Sequence, residues 1–140
     1  MKTYNIFISH AWKYSEDYNK VVEWLDKAKA DKRLDYKNYS DPKDDPIIDP
    51  DEETKKNRMK EKLRNQIRPS TIVIVISGMY VAYSEWIDFE IDTAVEMSKY
   101  IIGLKPWGQE RIPQKVSDNA DIMVGWNYES LISAILDSEK

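Results

Sequence analysis

Seven consecutive residues, Thr71-Ile72-Val73-Ile74-Val75-Ile76-Ser77, constrain this chain more than any other feature. The middle of the run is β-branched throughout, with no polar residue between. A strand that alternates polar and apolar residues has one wet face, whereas an uninterrupted apolar strand must be covered on both. Helices clad on both sides of a parallel sheet supply that cover. The rest of the chain must then provide flanking strands and crossover helices.

It does. Tyr4 to Ser9 is a run of β-formers that ends abruptly in polar residues, a first strand. From about Ser15 the period lengthens. Tyr18, Val21, Val22, Leu25 and Ala28 recur at three- and four-residue steps, and Glu16 and Asp17 occupy the first turn of the implied helix. Leu34 to Tyr39 fits a second strand nearer an edge. Ser40 to Pro50 carries three prolines and four aspartates, which makes a long loop. Asp51 to Ile67 is a charged helix whose apolar stripe is only Met59, Leu63 and Ile67, and Pro69 stops it. Ser84 to Ser98 is a further helix, with Ser84 as its N-cap and Ile87, Ile91, Ala94 and Val95 on one face. Tyr100 to Leu104 is a fourth strand, 105–120 an irregular loop, and Asp121 to Val124 a fifth strand. Asn127 caps a last helix bearing Leu131, Ile132, Ile135 and Leu136. Alternation of this kind predicts an α/β, flavodoxin-like three-layer αβα fold. Its five-stranded parallel sheet has the order 2-1-3-4-5, and one domain spans residues 1–140.

Composition removes several chemistries. There is no cysteine, so thiolate nucleophiles, disulfides and cysteine-ligated zinc are excluded. A single histidine, His10, leaves too few nitrogen ligands for a zinc site. With 21 basic and 25 acidic residues the net charge is −4, which argues against a broad nucleic-acid surface. No apolar stretch has the length of a membrane span or a signal-peptide core, so a cytoplasmic protein is expected, with no membrane and no nucleic-acid partner.

In open α/β sheets ligands bind beyond the carboxyl ends of the strands, where the strand order reverses. Here that point lies between the first and third strands, beside Ser9-His10-Ala11-Trp12, Ser77-Gly78-Met79-Tyr80 and Tyr83-Ser84-Glu85-Trp86. The loop after Tyr39 leaves on the same side. Residues in these places dispose of other occupants of the fold. A phosphate-accepting receiver needs acids after the first strand, an aspartate after the third and a lysine after the fifth, and finds Ser9-His10, Ser77 and Gly125-Trp126. Ala11-Trp12-Lys13-Tyr14 is not a flavin phosphate loop. Neither GxGxxG nor a P-loop lysine motif is present.

Asn5-Ile6-Phe7-Ile8-Ser9-His10 resembles the opening strand of TIR domains. Ser77, Tyr80, Ser84, Trp86 and Glu90 resemble the third box of that family, a serine- and tyrosine-rich turn leading into tryptophan, three residues, then glutamate. The loop from Ser40 to Pro50 takes the place of the BB loop, although it is rich in Asp and Pro rather than Arg and Gly. The resemblance extends over essentially the whole chain. It is closest to compact bacterial TIR-like proteins such as those of Thoeris anti-phage defence.

The resemblance implies cleavage of the bond between nicotinamide and ribose in NAD+, with Glu90 as the catalytic carboxylate. NAD+ is then a substrate, and no cofactor or metal is called for. Nicotinamide leaves as a neutral ring, so no general acid is needed. A carboxylate beside the oxocarbenium-like ribose stabilises its developing charge, as in glycoside hydrolysis. Substrate contacts fall to Ser9, His10, Trp12, Tyr39, Ser77, Tyr83, Ser84 and Trp86. The product is an ADP-ribose derivative, linear or cyclic, read by a separate effector protein, and the chain is a candidate for self-association.

Each residue also has an ordinary reading. Taken alone, Glu90 is a solvent-facing helical glutamate beside a half-buried Trp86, four residues apart on one face. Ser84 is a helix cap, His10 a structural histidine and Trp12 a cover for a helix end. Two other functions stay open: a non-catalytic TIR-like interaction module, and a nucleoside-processing transferase that sets a glutamate against an anomeric carbon.

Overall fold

A computed structural model of the chain describes residues 2–9, 16–40, 53–105 and 111–139, with the backbone alone for 53–56 and 79–84. The elements are β1 (Thr3–Ile8), α1 (Glu16–Ala30), β2 (Asp35–Asn38), α2 (Glu53–Ile67) and β3 (Ile72–Ile76). They continue with α3 (Tyr80–Glu96), β4 (Tyr100–Leu104), α4 (Gln114–Asn119), β5 (Ile122–Val124) and α5 (Tyr128–Asp137). The five strands form one sheet in the order β2-β1-β3-β4-β5. Every pairing is parallel, with Ile6 opposite Ile72 and Ile72 in turn opposite Tyr100.

The apolar run lies where its composition requires. All five residues of β3 are buried, between β1 on one side and β4 on the other. Parallel strands need crossovers, and right-handed crossovers decide which face each helix covers. The helix before a leftward step and the helix before a rightward step fall on opposite faces. Accordingly α1 packs with α5 on one face, while α2 packs with α3, and α3 with α4, on the other. Tyr18, Val21, Leu25 and Ala28 of α1 are buried as their period predicts. Trp24 joins them at 8% exposure and completes the stripe. The thin stripe of α2 is also real: Met59, Leu63 and Ile67 are buried while Arg58, Glu61 and Arg64 face water. Asn127 caps α5, its side chain accepting from Ser130 N at 2.8 Å.

Three expectations are corrected. The helix expected from Ser84 begins at Tyr80, so Ser84 lies inside it and is no N-cap. The reason is that β3 passes through a single 3-10 turn, Ser77–Met79, directly into α3, and no Pro or Gly in 80–83 interrupts the helix. The loop expected over 105–120 contains α4, which starts just after Pro113, its extended N-cap residue. Val95 does not share the apolar face of α3 and is 49% exposed. The loop expected over Ser40–Pro50 lies, beyond Ser40, outside the described residues. No helix among the described residues is long and apolar enough to cross a membrane.

Candidate functional site at the carboxyl edge of the sheet

Ser9 follows β1 directly and is buried. Its backbone N–H donates to the Ile74 carbonyl at 2.8 Å, which extends the β1–β3 ladder by one residue. Its hydroxyl then accepts from Ile76 N at 3.0 Å. One side chain therefore substitutes for a further backbone carbonyl and holds the last residue of β3 as the chain turns into α3. Accepting from Ile76 N leaves the Ser9 hydroxyl its own proton to donate. Ser77, the next residue along, is 2% exposed, and its hydroxyl has no hydrogen-bond partner among the described residues.

On the far side of β1, Tyr39 N donates to the Ile6 carbonyl at 2.9 Å and continues the β1–β2 ladder past the end of β2. The Tyr39 side chain is half-exposed at this edge. The chain leaves β2 through a polar cluster that periodicity did not reveal. Asn38 Oδ1 accepts from both Ser40 N at 2.9 Å and Ser40 Oγ at 2.5 Å. Asn38 Nδ2 donates to the Tyr18 hydroxyl at 2.9 Å, which ties the exit of β2 to α1. An Asn followed two residues later by Ser is a common side-chain turn, and that was the signal available in the sequence.

Glu90 is the decisive residue on α3. It has no exposed surface. Ile87, Ile91 and Ala94, all buried, lie three before, one after and four after it, so Glu90 occupies the sheet-facing stripe of the helix. The solvent-facing reading of this glutamate is thereby overturned. Trp86, one turn nearer the start of α3, is half-buried and packs on the core. A helical side chain leans toward the N-terminus of its helix. For α3 that is the end at the carboxyl edge of the sheet. Moving a carboxylate out of water is costly, so packing alone would select an apolar residue at position 90.

Tyr83 and Ser84 lie on α3 with their side chains outside the described set, and His10 and Trp12 lie outside the described residues altogether. Geometry thus brings Ser9, Ser77 and Tyr39 to adjacent strand ends at the switch point, with Trp86 and Glu90 on the helix that follows. Two hollows are described. One, of about 570 Å³, lies between the starts of α1 and α5, and the other, of about 480 Å³, opens beside Lys2, Tyr4 and Tyr100 at the amino end of the sheet. Neither is lined by Glu90, and size alone does not outweigh the convergence of strand ends on the switch point. Among the described residues no three His, Asp or Glu side chains gather as metal ligands would.

Solved structures share this architecture. A conserved protein from Enterococcus faecalis V583 superposes with a TM-score of 0.63 at 11% identity, over 96% of this chain and 98% of that one. A 2-deoxyribosyltransferase from the psychrotolerant bacterium Bacillus psychrosaccharolyticus gives 0.60 at 12% identity, over 91% and 90%. A prokaryotic SEFIR domain gives 0.52 at 16% identity, over 96% and 95%. At such identities the likeness concerns the fold. No curated protein sequence matches the chain. The sequence model of the TIR-like domain of the Thoeris protein ThsB matches residues 7–111. That span opens in β1, passes through the third-box residues and continues beyond β4. With that match added to the 2-1-3-4-5 sheet and the buried glutamate of α3, the chain belongs to the ThsB TIR-like family.

Proposed function

We propose that the protein is a TIR-type NAD+-cleaving enzyme that releases nicotinamide and forms an ADP-ribose-derived product, acting as a signal in anti-phage defence. The observation that carries the reading is the complete burial of Glu90 in the sheet-facing stripe of α3. A carboxylate held there is desolvated and fixed in direction. Both properties strengthen its attraction for a positive charge that develops only as the glycosidic bond breaks. Trp86 offers an aromatic face one turn away for a planar base. Ser77 offers a buried hydroxyl to ribose or phosphate. Ser9 supports the site indirectly by fixing the end of β3. His10, Trp12, Tyr39, Tyr83 and Ser84 complete the proposed substrate contacts. NAD+ is the substrate, a separate effector reads the product, and copies of the chain self-associate in the cytoplasm.

A second reading has an observation of its own. A 2-deoxyribosyltransferase matches the whole fold, and a nucleoside-processing enzyme would also set a carboxylate against an anomeric carbon. Chromatography of reactions with NAD+ and, separately, with free nucleosides separates the two. The proposal expects nicotinamide from NAD+ and no base from nucleosides. Release of base from nucleosides with NAD+ left intact would replace it with the transferase reading. If both substrates stay intact while the folded protein self-associates, it is an interaction module.

A further inference from the structure

The hollow between the starts of α1 and α5 is not lined by Glu90, and both helices pack on the face of the sheet opposite α3. Its volume of about 570 Å³ falls within the usual range for small-molecule sites. The walls are aromatic. Trp24 and Trp126 meet edge to face, with centroids 4.9 Å apart and planes at 62°. Trp126 stays half-exposed, and Tyr128 stands beside it at the start of α5. The lip is acidic, formed by Glu16 and Asp17 in the first turn of α1. Lys20 also lines the hollow, but Glu23 answers it at 3.7 Å.

Charge decides the class of ligand. Two helix N-termini converge here, and bare N-termini would favour an anion. These are not bare: Glu16 and Asp17 stand in the first turn of α1, and Asn127 and Glu129 stand at the start of α5. An anion would meet carboxylates. A cation would meet carboxylates and indole faces together, the arrangement that holds organic cations. Tyr128, which lines the hollow, already takes a cation of the chain on its ring, with Lys27 Nζ 4.2 Å from the centroid.

We infer that this hollow is a second binding site, separate from the Glu90 site, for a small organic cation with a flat or apolar body. The ligand stacks on Trp126 and pairs its charge with Glu16 and Asp17.

Three isosteric probes of different charge test it: benzamidinium, neutral benzamide and anionic benzoate. The five tryptophans each give an indole N–H resonance, which reports on the folded full chain by NMR. The expected result is a saturable shift of the Trp126 and Trp24 signals with benzamidinium, a much weaker one with benzamide and none with benzoate. The Trp86 signal stays still under benzamidinium. Replacing both acids (Glu16→Gln with Asp17→Asn) weakens benzamidinium binding by about fivefold while the spectrum stays dispersed. The single variants serve if the double variant loses dispersion. Equal midpoints for benzamide and benzamidinium, an unshifted Trp126, or full affinity after removal of the acids would overturn the inference.

Discussion

At the residue scale, Ser9 and Glu90 show how far a side chain can depart from its ordinary role. Serine after a strand is unremarkable in sequence, yet here it completes a ladder that the backbone cannot. Ser9→Ala leaves the buried Ile76 N–H without its acceptor and should cost about 1–3 kcal/mol in urea unfolding. Under the proposed function it should also lower turnover more than it alters substrate affinity, because it loosens the start of α3 rather than a contact. Unchanged stability would mean that the Ser9 hydroxyl is not needed to hold β3. Glu90→Leu should abolish nicotinamide release under the proposed function, since no carboxylate then remains at that buried position to meet the developing charge. Release that survived the substitution would remove Glu90 from the chemistry.

At the scale of the element, β3 is buried throughout and α3 carries the buried carboxylate of the proposed chemistry. Ile74→Ala opens a cavity in a strand buried on both faces and should cost about 2–5 kcal/mol. Val95→Ala on the exposed side of α3 should cost well under 1 kcal/mol. Chemical denaturation of the pair measures the contrast, and equal losses would contradict the two-face burial of the sheet. In β4, Gly103 has no side chain because Met123 of β5 and Val116 of α4 close over it. A Cβ there would press on the Met123 sulfur and lie 3.2 Å from Val116 Cγ1. Gly103→Ala should therefore be tolerated only as far as the flexible Met123 can swing aside, whereas Gly103→Val should cost about 1–3 kcal/mol through overpacking.

Much of this was legible in the residues themselves. The β3 run and the steps of α1 announce themselves because burial on two faces, or on one stripe, leaves a periodic trace. The strand order followed from the same alternation of strands and helices. The start of α3 was not legible, because tyrosine and valine suit strands, turns and helices alike, and Ser84 imitates a cap. Helix α4 was hidden by its shortness, six residues with one buried side chain, Val116. The burial of Glu90 was hidden for a different reason: a carboxylate in an apolar stripe breaks the very pattern by which stripes are found. Functional positions are expected to break such rules.

At the scale of the whole molecule, ion pairs bind distant parts of the chain. Arg33, between α1 and β2, donates to both Glu129 oxygens on α5, at 2.8 and 3.1 Å. Lys2 and the Tyr4 hydroxyl both engage Glu139 beyond α5. Arg33 holds the Glu129 carboxyl below its usual range, and Lys2 and Tyr4 do the same for Glu139. A depressed carboxylate contributes stability that is present above its unfolded pKa, about 4. That contribution is lost as pH falls through the lower folded value. Stability should accordingly decline below about pH 4, and Arg33→Gln or Lys2→Gln should flatten that decline. Both pairs are exposed, so added salt should shrink the effect. Burial first, and Glu139 second, push the Tyr4 hydroxyl up to about 12. Its contribution is whole below the unfolded value near 10 and is lost as pH rises through about 12. Tyr4→Phe should lessen the alkaline loss without abolishing it, because burial raises the Tyr36 and Tyr100 hydroxyls as well, as followed by unfolding midpoints across pH. An alkaline limb of unchanged depth in the variant would remove Tyr4 from it.

The central claim is that the buried carboxylate of α3 breaks the nicotinamide–ribose bond. Nicotinamide release from NAD+ by the purified protein, alone and with extract of phage-infected cells, tests it directly beside a folded Glu90→Gln variant. The account expects release by the unaltered protein in at least one condition and a rate lower by about a hundredfold or more in the variant. Equal release by both proteins, or none by the unaltered protein in either condition, would contradict it.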